Sequence, residues 1–255
     1  MSANLAYETV LSELGDDGVR TIALHRPDRL NAMNRQLIDD VARAFDDANA
    51  DEGTRAIVFT GSGRAFCAGD DRKEHVHPSD EAEARALVDA IQRATEAIVL
   101  GAKPVVGAIN GWAVGGGFEW AINCDFPIWG ETARGFFPEV SLGIFVTGAV
   151  TSLLPALVGL NAAREMLLLG QEYDAASLLR LGVAWRVVPD TELTDEARSV
   201  AARLAALPPG AVARMKRALN AGAVTDIRAA LAVETEATVA GMLDPDTTRR
   251  MQHGF

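Results

Sequence analysis

Apolar positions change their period along this chain, and each change marks an element. Residues 7–14 and Val19–Leu24 alternate, flank Gly15-Asp16-Asp17-Gly18, and predict two strands joined by a turn. Between 34 and 49, Leu37, Ile38, Val41, Phe45 and Ala48 recur at helical spacing and predict an amphipathic helix. The short apolar run 56–60 is closed by Gly61-Ser62-Gly63 and reads as a buried strand. Residues 81–100 return to the helical period, with Leu87, Ile91, Ala94 and Ile98 on one stripe and Ser79 as the expected cap. Val105–Ile109 is a second buried strand, after which Gly115-Gly116-Gly117 opens a helix towards Cys124. Short strands are predicted at 126–129, 135–137 and 184–188. Asn161 and Asp174 are the expected N-caps of helices at 162–169 and Ala175–Leu181, the latter stopped by Gly182.

This alternation predicts an α/β fold with mostly parallel strands. From about Leu193 strand patterns cease, and helices follow, separated by Pro208-Pro209 and Gly241. A boundary near 191–193 therefore divides a core, residues 1–192, from a helical segment, residues 193–255. The composition, 49% hydrophobic and 23% charged, is that of a globular protein with ample core material. A net charge of −11 argues against nucleic acid as a partner. It also means that an anionic ligand must be met by local cations or backbone amides. Cys67 and Cys124 lack metal or CxxC spacing and read as reduced thiols. The first 18 residues show no basic-then-apolar pattern, and no apolar run nears the ~20 residues of a membrane span. A soluble, cytoplasmic protein without membrane contact is expected. His75 and His77 lie in a charged loop with no third ligand placed by sequence, so no metal is expected.

Three segments carry candidate chemistry. In Gly115-Gly116-Gly117-Phe118-Glu119, a helix start with bare amides suits an oxyanion, and Glu119 sits one turn on, on the face of Gly116. The helix start should keep that carboxylate ionised, as a base requires. A glycine triplet serves equally for a tight helix–sheet crossing. In Ala65-Phe66-Cys67-Ala68-Gly69-Asp70-Asp71, a small-residue turn leaves the Ala68 amide open to a ligand, although such a loop can simply turn the chain. In Phe136-Phe137-Pro138-Glu139, apolar surroundings should hold the carboxyl protonated, as an acid requires. The alternative is a glutamate that caps a following helix.

Taken together with Arg26-Pro27 and Leu30-Asn31-Ala32-Met33, these segments resemble the crotonase (enoyl-CoA hydratase/isomerase) superfamily along nearly the whole chain. Pro209 to Leu219 is similar to the start of that family's C-terminal helices. The resemblance implies a spiral of ββα turns with a C-terminal helical oligomerisation domain, assembled as a homotrimer or a dimer of trimers. It implies an acyl-CoA thioester substrate, coenzyme A entering as part of that substrate, and no tightly bound cofactor. Ala68 and Gly116 would bind the thioester oxygen through their amides. Glu119 would activate water and Glu139 would protonate the acyl chain. Arg26, Ala32, Gly69, Asp70, Asp71, Pro138, Gly143 and Thr147 complete the implied binding set.

This chain also departs from the pattern. Thr147 stands where hydratases usually carry the first glycine of a Pro-Gly-x-Gly-Gly-Thr run. Asp70 replaces a small residue, and the Phe-x-x-Lys-Arg-like tail is missing. Arg26, Arg29 and Lys73 are the local cations that could compensate, as could Arg249 or Arg250 from a neighbouring subunit. Hydration is the leading expectation, with isomerisation or related thioester chemistry, and a non-catalytic acyl-CoA-binding role, as alternatives.

Overall fold

Ile57 and Phe59 face one side of their strand, Ala56 and Val58 face the other, and all four are buried. A strand covered on both faces belongs to the interior of a parallel sheet, and the architecture follows from that. The computed structural model describes residues 7–74, 78–223, 227–244 and 247. His75, His77, Arg249 and Arg250 lie outside them.

An antiparallel hairpin, β1 (Val10–Leu14) and β2 (Val19–Leu24), precedes helix α1 (Arg35–Ala50). A strand–strand–helix unit then occurs three times. The first holds β3 (Ala56–Gly61), β4 (Ala65–Cys67) and α2 (Glu81–Val99). The second holds β5 (Val105–Ile109), β6 (Trp112–Val114) and α3 (Gly116–Asn123). The third holds β7 (Phe126–Gly130), β8 (Arg134–Phe136) and the short α4 (Glu139–Leu142). The first strand of each unit joins a six-stranded sheet, ordered β1-β2-β3-β5-β7-β10, where β10 is Arg186–Val188. The second joins a four-stranded sheet, ordered β4-β6-β8-β9, where β9 is Tyr173–Asp174. Within both sheets the units pair in parallel, each displaced by one strand from the last. The chain thus winds as the spiral of ββα turns that the sequence implies.

Helices α5 (Val150–Val158) and α6 (Leu160–Arg164) precede β9, and α7 (Ala175–Leu181) joins β9 to β10. They are followed by α8 (Leu193–Ala205), α9 (Pro209–Ala223) and α10 (Ile227–Met242). Leu193, Ala197, Val200, Ala201 and Ala205 of α8 pack on Ala56, Val58, Val106, Ala108 and Ile128, closing the far face of the main sheet. Between the sheets, Phe59 meets Phe45 and Phe66 edge-on at 5.0 and 5.1 Å, a geometry aromatic rings prefer. α10 packs Val239 and Met242 beside Ala84 and Val88 of α2, and Ile227 and Leu231 beside Val99 and Ala149.

Several local expectations change. β1 starts at Val10, because Asp40 captures the Glu8 and Thr9 amides while the Tyr7 hydroxyl turns to Asp47. Asp80, not Ser79, caps α2, accepting the Glu83 amide at 2.9 Å, and Ser79 bonds back to the Glu83 carboxylate. Asn161 lies inside α6, which starts after Gly159, and 165–169 continues as a π-type turn. Gly241 sits in the last turn of α10 instead of breaking it. Residues 65–67, expected as a turn, pair with β6.

The close crossing of α3 over β4 depends on Gly117: a Cβ there would lie 2.4 Å from the Cys67 carbonyl oxygen. Backbone atoms on both sides cannot yield, so Gly117→Ala is expected to destabilise the fold by roughly 2–4 kcal/mol. A fall in the urea midpoint at unchanged m-value would show it; an unchanged midpoint would mean that the two elements can separate freely.

Candidate active site

The glycine run turns sharply before it becomes a helix. Gly115 has φ 51 and ψ −124, a conformation that disfavours any side chain, and a Cβ there would approach Glu139 Oε1 to 2.5 Å. This is where the two acid-bearing segments meet. The Gly115 carbonyl accepts the Phe118 and Glu119 amides, and the Gly116 amide has no acceptor among the described residues. It is one of the unpartnered N–H groups that every helix start exposes.

Glu119 lies in the first turn of α3 and is 2% exposed. Thr147 grips both its oxygens: the Thr147 N–H donates to Oε1 at 2.8 Å and the hydroxyl donates to Oε2 at 2.5 Å. Burial pushes the Glu119 carboxyl up to about 7, against the pull of those two bonds. The expectation of a base held ionised by its helix start is therefore corrected: loss of solvent outweighs the dipole. Glu139 is also buried, and its Oε2 has no partner among the described residues. Burial, then the neighbouring Glu119 charge, drive its carboxyl well above the usual range. Two carboxyls with unlike partners thus share one site, one poised near neutrality and one held protonated.

They face a mostly apolar cavity of about 370 Å³, which Ala68, Gly69, Asp70, Gly116, Pro138 and Thr147 also line. Met33, Leu87, Ile91, Leu142, Ile144 and Phe145 supply hydrophobic wall, and Arg72 is the cation among the lining residues. Four residues of the expected set do not line it. Arg26, expected as a cation for the ligand, is committed to a buried ion pair with Asp71 at 2.9 Å and reaches Glu74 at 3.0 Å. It also donates to the Ala32 carbonyl, so Arg26, Ala32 and Asp71 together tie the 26–33 segment to the 69–74 loop. Burial alone would raise the Asp71 carboxyl, but the Arg26 guanidinium and the Lys73 and Glu74 amides hold it below the ordinary range. Gly143, with φ 80, ends α4, and its carbonyl accepts from Thr247.

Ala68 is the second correction. Its N–H donates to the Leu30 carbonyl at 3.1 Å, which withdraws it from the expected role. The next amides are ordered by a parallel bridge in which Met33 N–H donates to Gly69 O, and Asp71 N–H to Met33 O. Alternation along an extended chain then aims the Asp70 amide away from Met33.

The sequence reading missed Glu234 on α10, which is fully buried. It accepts the Ala149 and Thr151 amides at 2.7 and 2.8 Å, and burial pushes its carboxyl up to about 7. Its signal was a glutamate on the stripe Leu231, Glu234, Thr238, Met242, otherwise the buried side of the helix.

Because the Thr147 hydroxyl holds Glu119 in its charged form, Thr147→Val is expected to raise the Glu119 ionisation and move the acidic limb of the kcat–pH profile upward, with kcat at pH 7 falling about 10-fold. Thr147→Ser should restore both. A profile unchanged in the valine variant would remove the hydroxyl from any part in the chemistry.

Known structures share this arrangement of sheets and helices. An enoyl-CoA hydratase from Mycobacterium avium subsp. paratuberculosis superposes with a TM-score of 0.88 at 28% identity, over 97% of this chain and 99% of that one. The architecture is thus that of the crotonase fold. The sequence profile of enoyl-CoA hydratase/isomerase matches residues 15–248, and the chain belongs to that family. Among its relatives, crotonyl-CoA hydratase of Syntrophomonas wolfei is 34% identical over 91% of this chain and 89% of its own. Short-chain-enoyl-CoA hydratase of Clostridium acetobutylicum is 34% identical over 86% and 84%.

Proposed function

We propose that the protein is an enoyl-CoA hydratase-like lyase, adding water across the double bond of a 2-enoyl-CoA or removing it from a 3-hydroxyacyl-CoA. The observation that carries this is the pair Glu119 and Glu139, buried in one apolar cavity beside the open Gly116 amide. Ionised Glu119 takes a proton from water as its oxygen bonds to C3. Electrons move onto the thioester oxygen, where the Gly116 amide receives the charge. One such donor is worth roughly 3–4 kcal/mol. Protonated Glu139 then delivers its proton to C2. The reverse sequence is dehydration, so one pair of groups serves both directions.

The acyl group occupies the apolar wall formed by Met33, Leu87, Ile91 and Phe145, and coenzyme A enters as part of the substrate, with no resident cofactor. Residues 1–192 would form the core that carries most of the site and 193–255 the assembly segment. Exposed Leu157, Leu207, Met215 and Leu219 border a separate groove of about 660 Å³ beside α9 that holds no acid pair and suits a homotrimer or a dimer of trimers. No helix among the described residues is long and apolar enough to cross a membrane.

Incubation with straight-chain 2-enoyl-CoAs should bleach the enoyl-thioester absorbance and form the 3-hydroxyacyl-CoA. No bleaching with any chain length would end this reading. The double grip of Thr147 on Glu119 favours a second one, double-bond isomerisation, in which Glu119 never meets water. Reaction in ¹⁸O-labelled water separates them, since an isomerase leaves the acyl chain unlabelled.

A further inference from the structure

Glu234 sits where a carboxylate is costly. It lies on the buried stripe of α10, and an ionisable group there is tolerated only with good partners. Its partners all belong to one segment. Glu234 Oε2 accepts the Ala149 N–H at 2.7 Å, and Oε1 accepts the Thr151 N–H at 2.8 Å and the Thr151 hydroxyl at 2.6 Å. These bonds satisfy the open start of α5 in place of a local cap, since Ala149 supplies none. Ala149 is moreover in the left-handed region, φ 55, which a residue with a Cβ adopts reluctantly.

The same segment holds Glu119 at its other end, through the N–H and hydroxyl of Thr147. Between the two carboxyls, the Gly148 N–H donates to Gln92 Oε1 at 3.2 Å, and the Gly148 carbonyl accepts from Asn123 at 2.8 Å. Asn123 is one turn beyond Glu119 on α3. The segment is thus held at one end by Glu119, at the other by Glu234, and between them by Gln92 of α2 and Asn123 of α3.

We propose that Glu234 is a positioning residue for Glu119: through residues 147–151 it sets the orientation of the base and of the Thr147 N–H and hydroxyl that govern its ionisation. The kinetic part rests on the hydratase reading; the ionisation part does not. The titratable groups facing Glu119 are Glu139 from α4, Glu234 from α10 and the Cys67 thiol from β4, with Asp70 and Arg72 among the cavity lining. Thr147, Gln92 and Asn123 are neutral. Burial, and after it the Glu119 charge, raise the Glu234 carboxyl, and by reciprocity an ionised Glu234 disfavours an ionised Glu119.

If Glu234 only capped α5, its loss would lower stability and leave the Glu119 ionisation where it is. The test uses the full chain with Glu234→Ala and Glu234→Gln. It measures kcat and KM across pH, affinity for butyryl-CoA as a non-reacting thioester, and the carbon-13 titration of the Glu119 carboxyl, assigned by Glu119→Gln. Glu234→Ala is expected to lower kcat about 10- to 100-fold while KM and butyryl-CoA affinity stay within about threefold. Glu234→Gln keeps an acceptor for the Thr151 or Ala149 amide without the charge. It should recover kcat to within about fivefold of wild type and move the Glu119 midpoint roughly half a pH unit or more downward. An unmoved midpoint in the glutamine variant overturns the proposal. So does a kcat loss in the alanine variant matched by an equal loss of butyryl-CoA affinity. A wild-type protein without turnover on any enoyl-CoA would sink the hydratase reading alone, and the titration would still decide the role of Glu234.

Discussion

Glu139→Gln is expected to slow hydration about 1,000-fold and, above neutral pH, to make the protein more stable. Both effects have one source. The native carboxyl is buried, its Oε2 has no partner among the described residues, and it faces a second acid, so it holds its proton well above the ordinary range. That proton is what the chemistry delivers to C2, and an amide has none to give at this position. The stability sign follows from linkage. Between the unfolded carboxyl's ordinary value and the raised folded value, the folded state binds more protons, so wild-type stability falls as pH rises. Glutamine removes that slope. Melting curves should show the variant above wild type at pH 8, with the gap closing by pH 5. A variant of equal activity, or one less stable at pH 8, would contradict the assignment.

Glu119→Gln should also lose about 1,000-fold in hydration, but with a different residue of activity. Glu139 and the Gly116 amide remain, so above neutral pH, where Glu139 begins to ionise and can take a C2 proton, exchange of the C2 protons of a saturated acyl-CoA with deuterium oxide should persist at a measurable rate. Wild-type kcat should rise with pH through about 7, where Glu119 ionises, and fall again where Glu139 loses its proton. Proton exchange lost together with hydration in Glu119→Gln would mean that Glu119, not Glu139, addresses C2.

The parts of this site that could be read from the sequence are the local ones. Gly116 and Glu119 are three positions apart on one helix, and Glu139 follows an aromatic pair, so spacing alone brings amide, base and apolar setting into view. Ala68 was misassigned because its amide is decided by Leu30, far back in the chain, and by the bridge between Met33 and Asp70. Composition of a short loop carries no record of such pairing. β4 and β6 have three residues each, too few for a period to show. α5 was unseen because Pro155 lies inside it and its start is completed from α10 by Glu234. Arg26 looked like a ligand cation because its partners, Asp71 and Glu74, lie across a fold contact. The long strands and helices were legible because burial writes a period over many residues, whereas a single distant hydrogen bond writes nothing nearby.

α10 lends Thr238 and Met242 to the cavity wall and Glu234 to the 149–151 backbone, which bears on how the protein is made. A nascent chain whose α10 is still within the ribosome has every residue of the acid pair in hand, yet the backbone at Ala149 lacks its clamp. If Glu234 positions the base as proposed, the site is completed only when α10 docks, so the order of synthesis would place catalytic competence after the spiral has formed.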